Sequence, residues 1–375
     1  MTFEFTEEQR MLRDSLASFL RNNHSFDKSR SIVRSKSGFS SAIWKAFSDN
    51  LGILGAPFPE SIGGLGGDSV GNMIIMEELG KSLALEPWLE SIVMVGPLLI
   101  DGSGRANSKI QEIIGGDAVV IPVLNSYQVQ LGKQGKSPIK VSKTRDFYTL
   151  TGQASLVRNA VRATDIIVLA EDSSSGGPFL LLVPADASGV SFQDYAMVDG
   201  SRYSDIVFSD VETPLQGLIA EGQDACKRFA EAFDAAVAAL CAEALGIQRM
   251  LLEWTVDYAR QRKQFGRPIA DFQVIKHKMA EMFIKVEESA SMTYMATSHL
   301  SHTPFERAKL VSAAKVLVDQ SARFVGEAAV QIHGGMGMTK ELPVADYFSR
   351  LVSISQQLGS TEYHLNRYEA AMIDD

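Results

Sequence analysis

Helical periodicity that runs with few interruptions from residue 220 to residue 375 is the feature that most constrains this fold. The alanine-rich stretch Ala225–Ala244 has strong helix propensity, and apolar residues then recur at helical spacing through Met250–Arg260, Phe272–Ser298 and Phe305–Gln331. Few prolines interrupt these segments. Long helices of this kind favour a four-helix bundle, because each helix must bury an apolar face against its neighbours.

In the middle of the chain the pattern changes to short apolar or alternating runs, separated by clusters of Gly, Ser and Asp. The runs that we predict as strands are Val119–Val123, Phe147–Leu150, Ile166–Ala170, Phe179–Val183 and Asp205–Phe208. Strands this short at this spacing indicate an antiparallel β-domain.

The first part of the chain is predicted to be helical. Thr6 and Gln9 form a candidate capping box, and the helical pattern from Met73 to Leu79 is predicted to end at Gly80. The expected fold is therefore α+β and mainly α. Its three predicted domains are an N-terminal all-α domain (1–118), a middle β-domain (119–219) and a C-terminal four-helix bundle (220–375).

Composition and charge argue against several classes of protein. The chain has 375 residues, a formal charge of −9 and a pI near 5.3, with scattered Lys and Arg, so we expect no nucleic-acid partner.

The N-terminus lacks the apolar segment of a signal peptide, and no run approaches the roughly 18 apolar residues of a membrane span. The two cysteines have no metal-ligand spacing and indicate a reducing compartment. We therefore expect a cytoplasmic protein without a metal site.

Two segments of the C-terminal part could contact a ligand. Three arginines and a lysine lie within Arg260–Arg267, and guanidinium groups bind phosphate in a planar fork, although a solvated helix end is the alternative on composition alone. The glycine-rich segment Gln331–Met338 follows a long helix. Its backbone could approach a ligand closely, or it could simply connect two helices.

Together the two segments resemble the C-terminal signatures of the acyl-CoA dehydrogenase family. Arg262–Ile269 with Phe272-Gln273 resembles R-x-x-F-G-x-P-I…F-Q, and Gln331–Gly337 resembles Q-x-x-G-G-x-G. Pro59–Gly66 resembles the family's P-E-x-x-G-G-x-G loop, and Gly200–Pro214 resembles the end of its β-domain. The likeness covers nearly the whole chain, and the predicted order of the domains agrees with it.

The resemblance implies an activity and a cofactor. The family desaturates acyl-CoA thioesters: a carboxylate removes the α-proton, FAD takes the β-hydrogen as hydride, and an electron-transfer flavoprotein receives the electrons. FAD lies between subunits, and these motifs act on the flavin of a neighbouring subunit. The implied cofactor-binding residues are Arg262, at the pyrophosphate, together with Gln264, Phe265, Gln273, Gln331, Gly334, Gly335 and Ser360.

The chain departs from the family at the catalytic base. The family glutamate lies in a Y-E-G-T segment, which falls on Gln357–Ser360, so that its position is Leu358. Other members carry the base on an earlier helix, at a position on or near Ala236. Asp234 lies two residues before Ala236 and is a weak candidate for a relocated base, because two residues on a helix point about 200° apart. Glu362, four residues beyond Leu358, is a second weak candidate. The catalytic residue is therefore left unassigned.

The middle domain departs from the family as well. The family's T-E-P-x-x-G-S-D loop, which holds flavin and thioester, matches near Leu124–Gln128 and is not preserved. The W-I-T-N-G strand against the flavin ring falls on Leu156–Ala160, where only Asn159 remains. The contacts that a subunit makes to its own FAD are thus degraded, whereas the contacts to a neighbour's FAD are retained.

This pattern resembles the small subunits of heteromeric acyl-CoA dehydrogenases. The likeness to pimeloyl-CoA dehydrogenase small subunits rests on Leu240–Ala244, Arg323–Gly326 and Leu358–Leu365. The leading interpretation is a small subunit whose large-subunit partner supplies the carboxylate. The alternatives are a homo-oligomeric enzyme with a relocated base and a non-catalytic protein that binds an acyl-CoA or a protein but no flavin. The acyl group stays open between dicarboxylyl, aromatic and steroid side-chain classes.

Overall fold

The chain begins and ends with helices, and its strands lie between them. A computed structural model describes residues 5–35, 37–102, 105–123 and 137–373. The helices that precede the strands are α1 (Glu7–Asn23), α2 (Phe26–Arg34), α3 (Ser41–Asp49), α4 (Ser69–Ser82), a π-helical turn (Leu89–Met94), α5 (Val95–Leu99) and α6 (Ala106–Ile114). The helices that follow them are α7 (Gly222–Gln261), α8 (Gln273–Ser298), α9 (Pro304–His333), α10 (Val344–Gln356) and α11 (Thr361–Ile373). The predicted α+β fold with a helical majority is confirmed.

The strands of the middle segment form one mixed sheet. They are β1 (Val120–Val123), β2 (Lys140–Lys143), β3 (Phe147–Arg158), β4 (Asp165–Asp172), β5 (Pro178–Pro184), β6 (Val190–Ala196), β7 (Arg202–Pro214) and β8 (Leu218–Glu221). Their order is β6-β7-β3-β2-β4-β5-β8, and β1 pairs with β4. Most pairs are antiparallel, as predicted, but β1 and β2 each run parallel to β4. Residue alternation along a strand does not reveal its direction relative to a neighbour, so this difference lay beyond the sequence pattern.

The described elements belong to two compact units. The first comprises Met1–Arg30, Asn72–Ala84 and Val237–Asp375, and the second comprises Ser31–Gly71 and Leu85–Ala236. The sheet belongs to the second unit, and helices α8 to α11 belong to the first. The division into three domains along the chain remains a prediction.

Helix α1 begins as its sequence predicts. The Thr6 hydroxyl accepts a hydrogen bond from the backbone N–H of Gln9 (3.2 Å), and the Thr6 N–H donates to the Gln9 side chain (3.1 Å). This reciprocal capping box satisfies backbone donors that a helix start leaves without partners.

The core of the first unit is built around α9. Helices α8, α10 and α11 all pack against it. Its buried apolar side chains recur every three or four residues and include Val311, Ala314, Val318, Ala322 and Val325. A helix with this spacing buries one continuous stripe, which explains the long periodic pattern of the sequence.

Helices α4 and α7 cross with their backbones in contact. A Cβ built at Gly246 would lie 2.1 Å from the carbonyl oxygen of Glu77, and one built at Gly80 would lie 2.2 Å from that of Glu243. The prediction that Gly80 ends its helix is wrong, since α4 continues to Ser82. The glycine serves a close approach between helices, where no side chain fits.

Within the described residues, one helix could cross a membrane by length and composition alone. A window of α7 has a mean hydropathy of 1.5, so the expectation that no segment approaches such a span was too strong. However, 78% of this window is buried within the protein, as in the core helix of a globular fold.

The helix crossing predicts the effect of one added methyl group. Gly246→Ala should cost about 2 kcal/mol of stability and lower the thermal unfolding midpoint by several degrees, because the methyl meets a backbone carbonyl that cannot move alone. The control Gly96→Ala adds a Cβ whose one close neighbour is Ile100 Cδ1 at 3.9 Å, so its midpoint should be unchanged or higher. Circular dichroism melts of both variants would test this, and equal midpoints would contradict the close crossing.

Candidate functional site

The predicted phosphate-binding segment forms a tight hairpin at the end of α7. Strand β9 (Lys263–Gln264) pairs antiparallel with β10 (Arg267–Pro268). The two turn residues, Phe265 and Gly266, have φ values of 53° and 79°. A two-residue turn with positive φ at both positions matches the twist of a hairpin, and a phenylalanine there adopts a strained backbone. The ring of Phe265 is 91% exposed.

Backbone hydrogen bonds hold Arg262 in place. Its N–H donates to the carbonyl of Tyr258, and its carbonyl accepts from the N–H of Ile269, both at 2.8 Å. The Arg262 residue is exposed, and its guanidinium has no ion-pair or hydrogen-bond partner among the residues that the structure describes. The hairpin therefore presents an unpartnered cation on a fixed backbone, beside the exposed aromatic ring of Phe265.

The glycine-rich segment follows α9 as a short 3-10 helix, Gly334–Met338. Gly334 has φ 61°, and a Cβ added at Gly334 or Gly335 would meet nothing within 4 Å. Gln331, in the last turn of α9, is exposed like these two glycines. An exposed backbone without side chains can be approached closely by a ligand or by another chain.

The hairpin and the glycine-rich segment are joined through Tyr258 and His333. The two rings stack with centroids 4.4 Å apart, and the Tyr258 hydroxyl donates to the His333 carbonyl (3.4 Å). His333 Nδ1 donates to the carbonyl of Ala329 (2.8 Å). Burial lowers the pKa of His333, which keeps the imidazole neutral. His333 thus has a packing role, and the structure brings the two motifs together.

The remaining predicted cofactor residues lie at helix starts. Gln273 is exposed and is the first residue of α8, where the unpaired N–H groups of a helix favour an anion. Ser360 is also exposed, and its hydroxyl accepts from the N–H of Tyr363 (3.3 Å) in the first turn of α11. Their contacts with a cofactor remain predictions.

The predicted position of the family glutamate, Leu358, lies in the turn between α10 and α11. Leu358 is half-buried and has φ 54°, and Gly359 follows with φ 102°. The buried imidazole of His364 donates from Nε2 to the Leu358 carbonyl (2.9 Å). Lys315 Nζ donates to the carbonyl of Ile354 (3.1 Å), at the end of α10. Two buried side chains thus hold a turn that a leucine adopts only with strain.

The two alternative carboxylates differ in exposure. Asp234 is 1% exposed on α7, two residues from the buried Ala236. Glu362 is exposed in the first turn of α11, where a carboxylate is favoured by the helix dipole. A catalytic role for either one remains a prediction.

The segment that resembles the flavin-ring strand lies at the end of β3. Leu156 and Asn159 have φ values of 59° and 61°, and the pairing of β3 with β7 shifts register between Ala154 and Val157. The segment Leu124–Gln128, which matches the family's thioester loop, lies outside the described residues.

Sequence analysis missed a buried carboxylate beside this strand end. Glu90, in the π-helical turn, accepts hydrogen bonds from Arg158 Nη1 (2.7 Å) and Asn159 Nδ2 (2.9 Å). A charged residue inside the apolar run Leu89–Met94 was the available signal, because a buried charge needs a partner. No group of His, Cys, Asp and Glu with the arrangement of a metal site occurs among the described residues.

Two family models match the chain. The model described as "Acyl-CoA dehydrogenase, N-terminal domain" matches residues 6–110, and "Acyl-CoA dehydrogenase, C-terminal domain" matches residues 226–373.

Individual relatives and solved structures agree with the two family models. CarC, a subunit of the caffeyl-CoA reductase–Etf complex of Acetobacterium woodii, is 30% identical over 304 residues, which cover 78% of this chain and 80% of the relative. The probable acyl-CoA dehydrogenase YngJ of Bacillus subtilis is 29% identical over 360 residues, or 92% of each chain. A chain of the ChsE4–ChsE5 complex from Mycobacterium tuberculosis superposes with a TM-score of 0.88 at 25% identity, covering 100% of both chains.

The environment of His364 predicts a pH effect on stability. Burial lowers the pKa of His364 to about 3, against 6.5 unfolded, so the unfolded chain binds more protons as the pH falls below 6.5. His364 should therefore lower stability by roughly 1.5 kcal/mol between pH 6.5 and pH 5. His364→Gln keeps an N–H donor but does not titrate, so it should lose this part of the pH dependence. Urea unfolding of both proteins at the two pH values would test this, and parallel pH profiles would contradict it.

Proposed function

We propose, from the premise that this chain belongs to the acyl-CoA dehydrogenase family, that it is the small subunit of a heteromeric enzyme and completes the FAD site of its partner. Members of the family are FAD-dependent flavoproteins and oxidoreductases that act on CH–CH groups. In this proposal the pair desaturates an acyl-CoA thioester in the cytoplasm. FAD, when bound, supplies the hydride acceptor.

The observation that carries the proposal is the exposed and rigid surface formed by the hairpin and the glycine-rich segment. The Arg262 backbone is held in place, its guanidinium has no partner in the described part of the chain, and the Phe265 ring is 91% exposed on a strained turn. A chain that worked alone would gain nothing from exposing an aromatic ring at the cost of backbone strain. A partner that covers this surface would account for both features.

The residues of this surface fit the chemistry of FAD. A pyrophosphate is anionic, and a guanidinium binds such a group with charge-assisted hydrogen bonds. The exposed amides of Gln264 and Gln331 can donate and accept, and the open backbone at Gly334 and Gly335 permits close approach. The surface thus offers a cation, amides and an open backbone together.

The proposal also assigns the catalytic base to the partner. Leucine at position 358 cannot accept a proton, and we propose that the large subunit supplies the carboxylate that removes the α-proton. The similarity to the ChsE4–ChsE5 complex supports an assembly of two different chains. Electrons would leave through an electron-transfer flavoprotein, which accords with the Etf complex that contains the relative CarC.

Replacement of one arginine should separate cofactor binding from folding. Arg262→Ala in the assembled complex should weaken FAD binding by roughly tenfold to a hundredfold, because a charge-assisted hydrogen bond is worth about 1.5–3 kcal/mol. Arg260→Ala is the matched control: its side chain is 72% exposed at the same helix end, near Asp257. FAD per pair of chains after gel filtration is the measurement. Equal retention in both variants would contradict a pyrophosphate contact at Arg262.

The visible spectrum of the chain, alone and co-expressed with an acyl-CoA dehydrogenase encoded next to it, should identify the assembly. We expect a bound-flavin band only in the co-expressed sample, since the contacts retained here serve a neighbour's cofactor. The homo-oligomeric enzyme would instead be established by two results: a full flavin band from the chain alone, and turnover by the chain alone that is lost in Asp234→Asn or in Glu362→Gln. Absence of flavin in both samples would favour a non-catalytic protein.

A further inference from the structure

A buried polar cluster closes the end of β3 in the second unit. The Glu90 carboxylate accepts from Arg158 Nη1 at 2.7 Å through one oxygen and from Asn159 Nδ2 at 2.9 Å through the other. The side chains of Glu90 and Arg158 are only 7% and 10% exposed, and Asn159 is 1% exposed. Both oxygens of the carboxylate are satisfied within the chain.

The backbone beneath this cluster is held in an unusual shape. Leu156 and Asn159 both have positive φ, and the Asp205 carboxylate accepts from the Leu156 N–H (3.1 Å) and from the Tyr195 hydroxyl (2.8 Å). The Asn159 N–H donates to the carbonyl of Arg202 (2.8 Å). The turn is therefore fixed by several bonds, and its two polar side chains, Arg158 and Asn159, both point to Glu90.

These residues do not fit a flavin ring. The resemblance places the ring against Leu156–Ala160, and a ring there needs an apolar or aromatic contact and free hydrogen-bond donors. Here Arg158 Nη1 and the Asn159 amide donate to Glu90 instead, and the buried Arg158 Nε has no hydrogen-bond partner among the described residues. Admitting a ring would require breaking a buried ion pair, which leaves an uncompensated charge in a dry environment.

We propose that Glu90, Arg158 and Asn159 form an internal plug that closes this chain's own flavin face. The inference rests on the proposed function and adds to it. The chain contributes FAD contacts only to its partner, and a complex of equal numbers of the two chains holds a single FAD per pair instead of two. The plug also explains why a charged side chain persists in the apolar π-helical turn.

The test is the FAD content of the purified heteromer, with the plug intact and removed. Glu90→Ala/Arg158→Thr removes both charges together, so that no unpaired charge remains. Lys109→Met/Asp165→Asn is the control, because it also breaks a buried ion pair of the same unit (2.9 Å, side chains 7% and 6% exposed). We expect one FAD per pair in the wild type and in the control, and a ratio clearly above one in the plug variant.

Two results would overturn the plug. One is a wild-type complex with two FAD per pair, and the other is a folded plug variant that stays at one. If the plug variant does not fold, the ratio of FAD to pairs of chains in the wild-type complex decides. A second measurement is the titration of FAD with the free wild-type chain, for which the plug predicts no quenching of FAD fluorescence. Failure of the proposed function gives a different signature, because Arg262→Ala would then leave the wild-type FAD content unchanged.

Discussion

The backbone contact between α4 and α7 is the constraint on which the first unit depends. Two helices that touch through Gly80 and Gly246 cannot rotate or slide without losing the contact, so the second half of α7 has one position on α4. Arg350 of α10 then donates to both oxygens of the Glu243 carboxylate, at 2.6 and 2.9 Å, beside the same crossing. Both partners are buried, and loss of either would leave an unpaired charge. The second half of α7, from which the hairpin extends, is therefore fixed in position within the first unit.

Two kinds of polar group distinguish the two candidate flavin surfaces of this chain. On the hairpin, the Arg262 guanidinium is exposed and has no partner in the described part of the chain, although its backbone is fixed. At the end of β3, Arg158 and Asn159 are buried and bonded to Glu90. A binding surface must keep donors free at a low entropic cost, whereas at the end of β3 Arg158 Nη1 and the Asn159 amide are already bonded and only the buried Arg158 Nε is left without a partner among these groups. The first arrangement suits a site completed with another chain, and the second suits no ligand.

Much of the fold could be predicted from the sequence, because its signals are local. The Thr6 capping box and the strands were recognised within windows of a few residues. Some signals have two physical meanings. A glycine late in a helical pattern, such as Gly80, predicts a helix end, but the same residue type also permits close contact between two helices. The pairing of Glu90 with Arg158 joins residues 68 positions apart, and the parallel pairs of β4 join separate segments. Such partners are set by topology, which no single window contains.

Leu358, the predicted position of the family glutamate, lies in a turn whose backbone is held although the residue cannot accept a proton. A leucine at φ 54° is strained by roughly 1–2 kcal/mol, and it adds no acid or base in return. The turn nevertheless keeps this backbone, because His364 holds its carbonyl and Lys315 holds the end of α10. Strain persists only where surrounding contacts fix it, so the geometry of this turn is maintained without a proton acceptor in it. A chain that shapes a shared site while its partner performs the proton transfer needs that geometry and not the carboxylate.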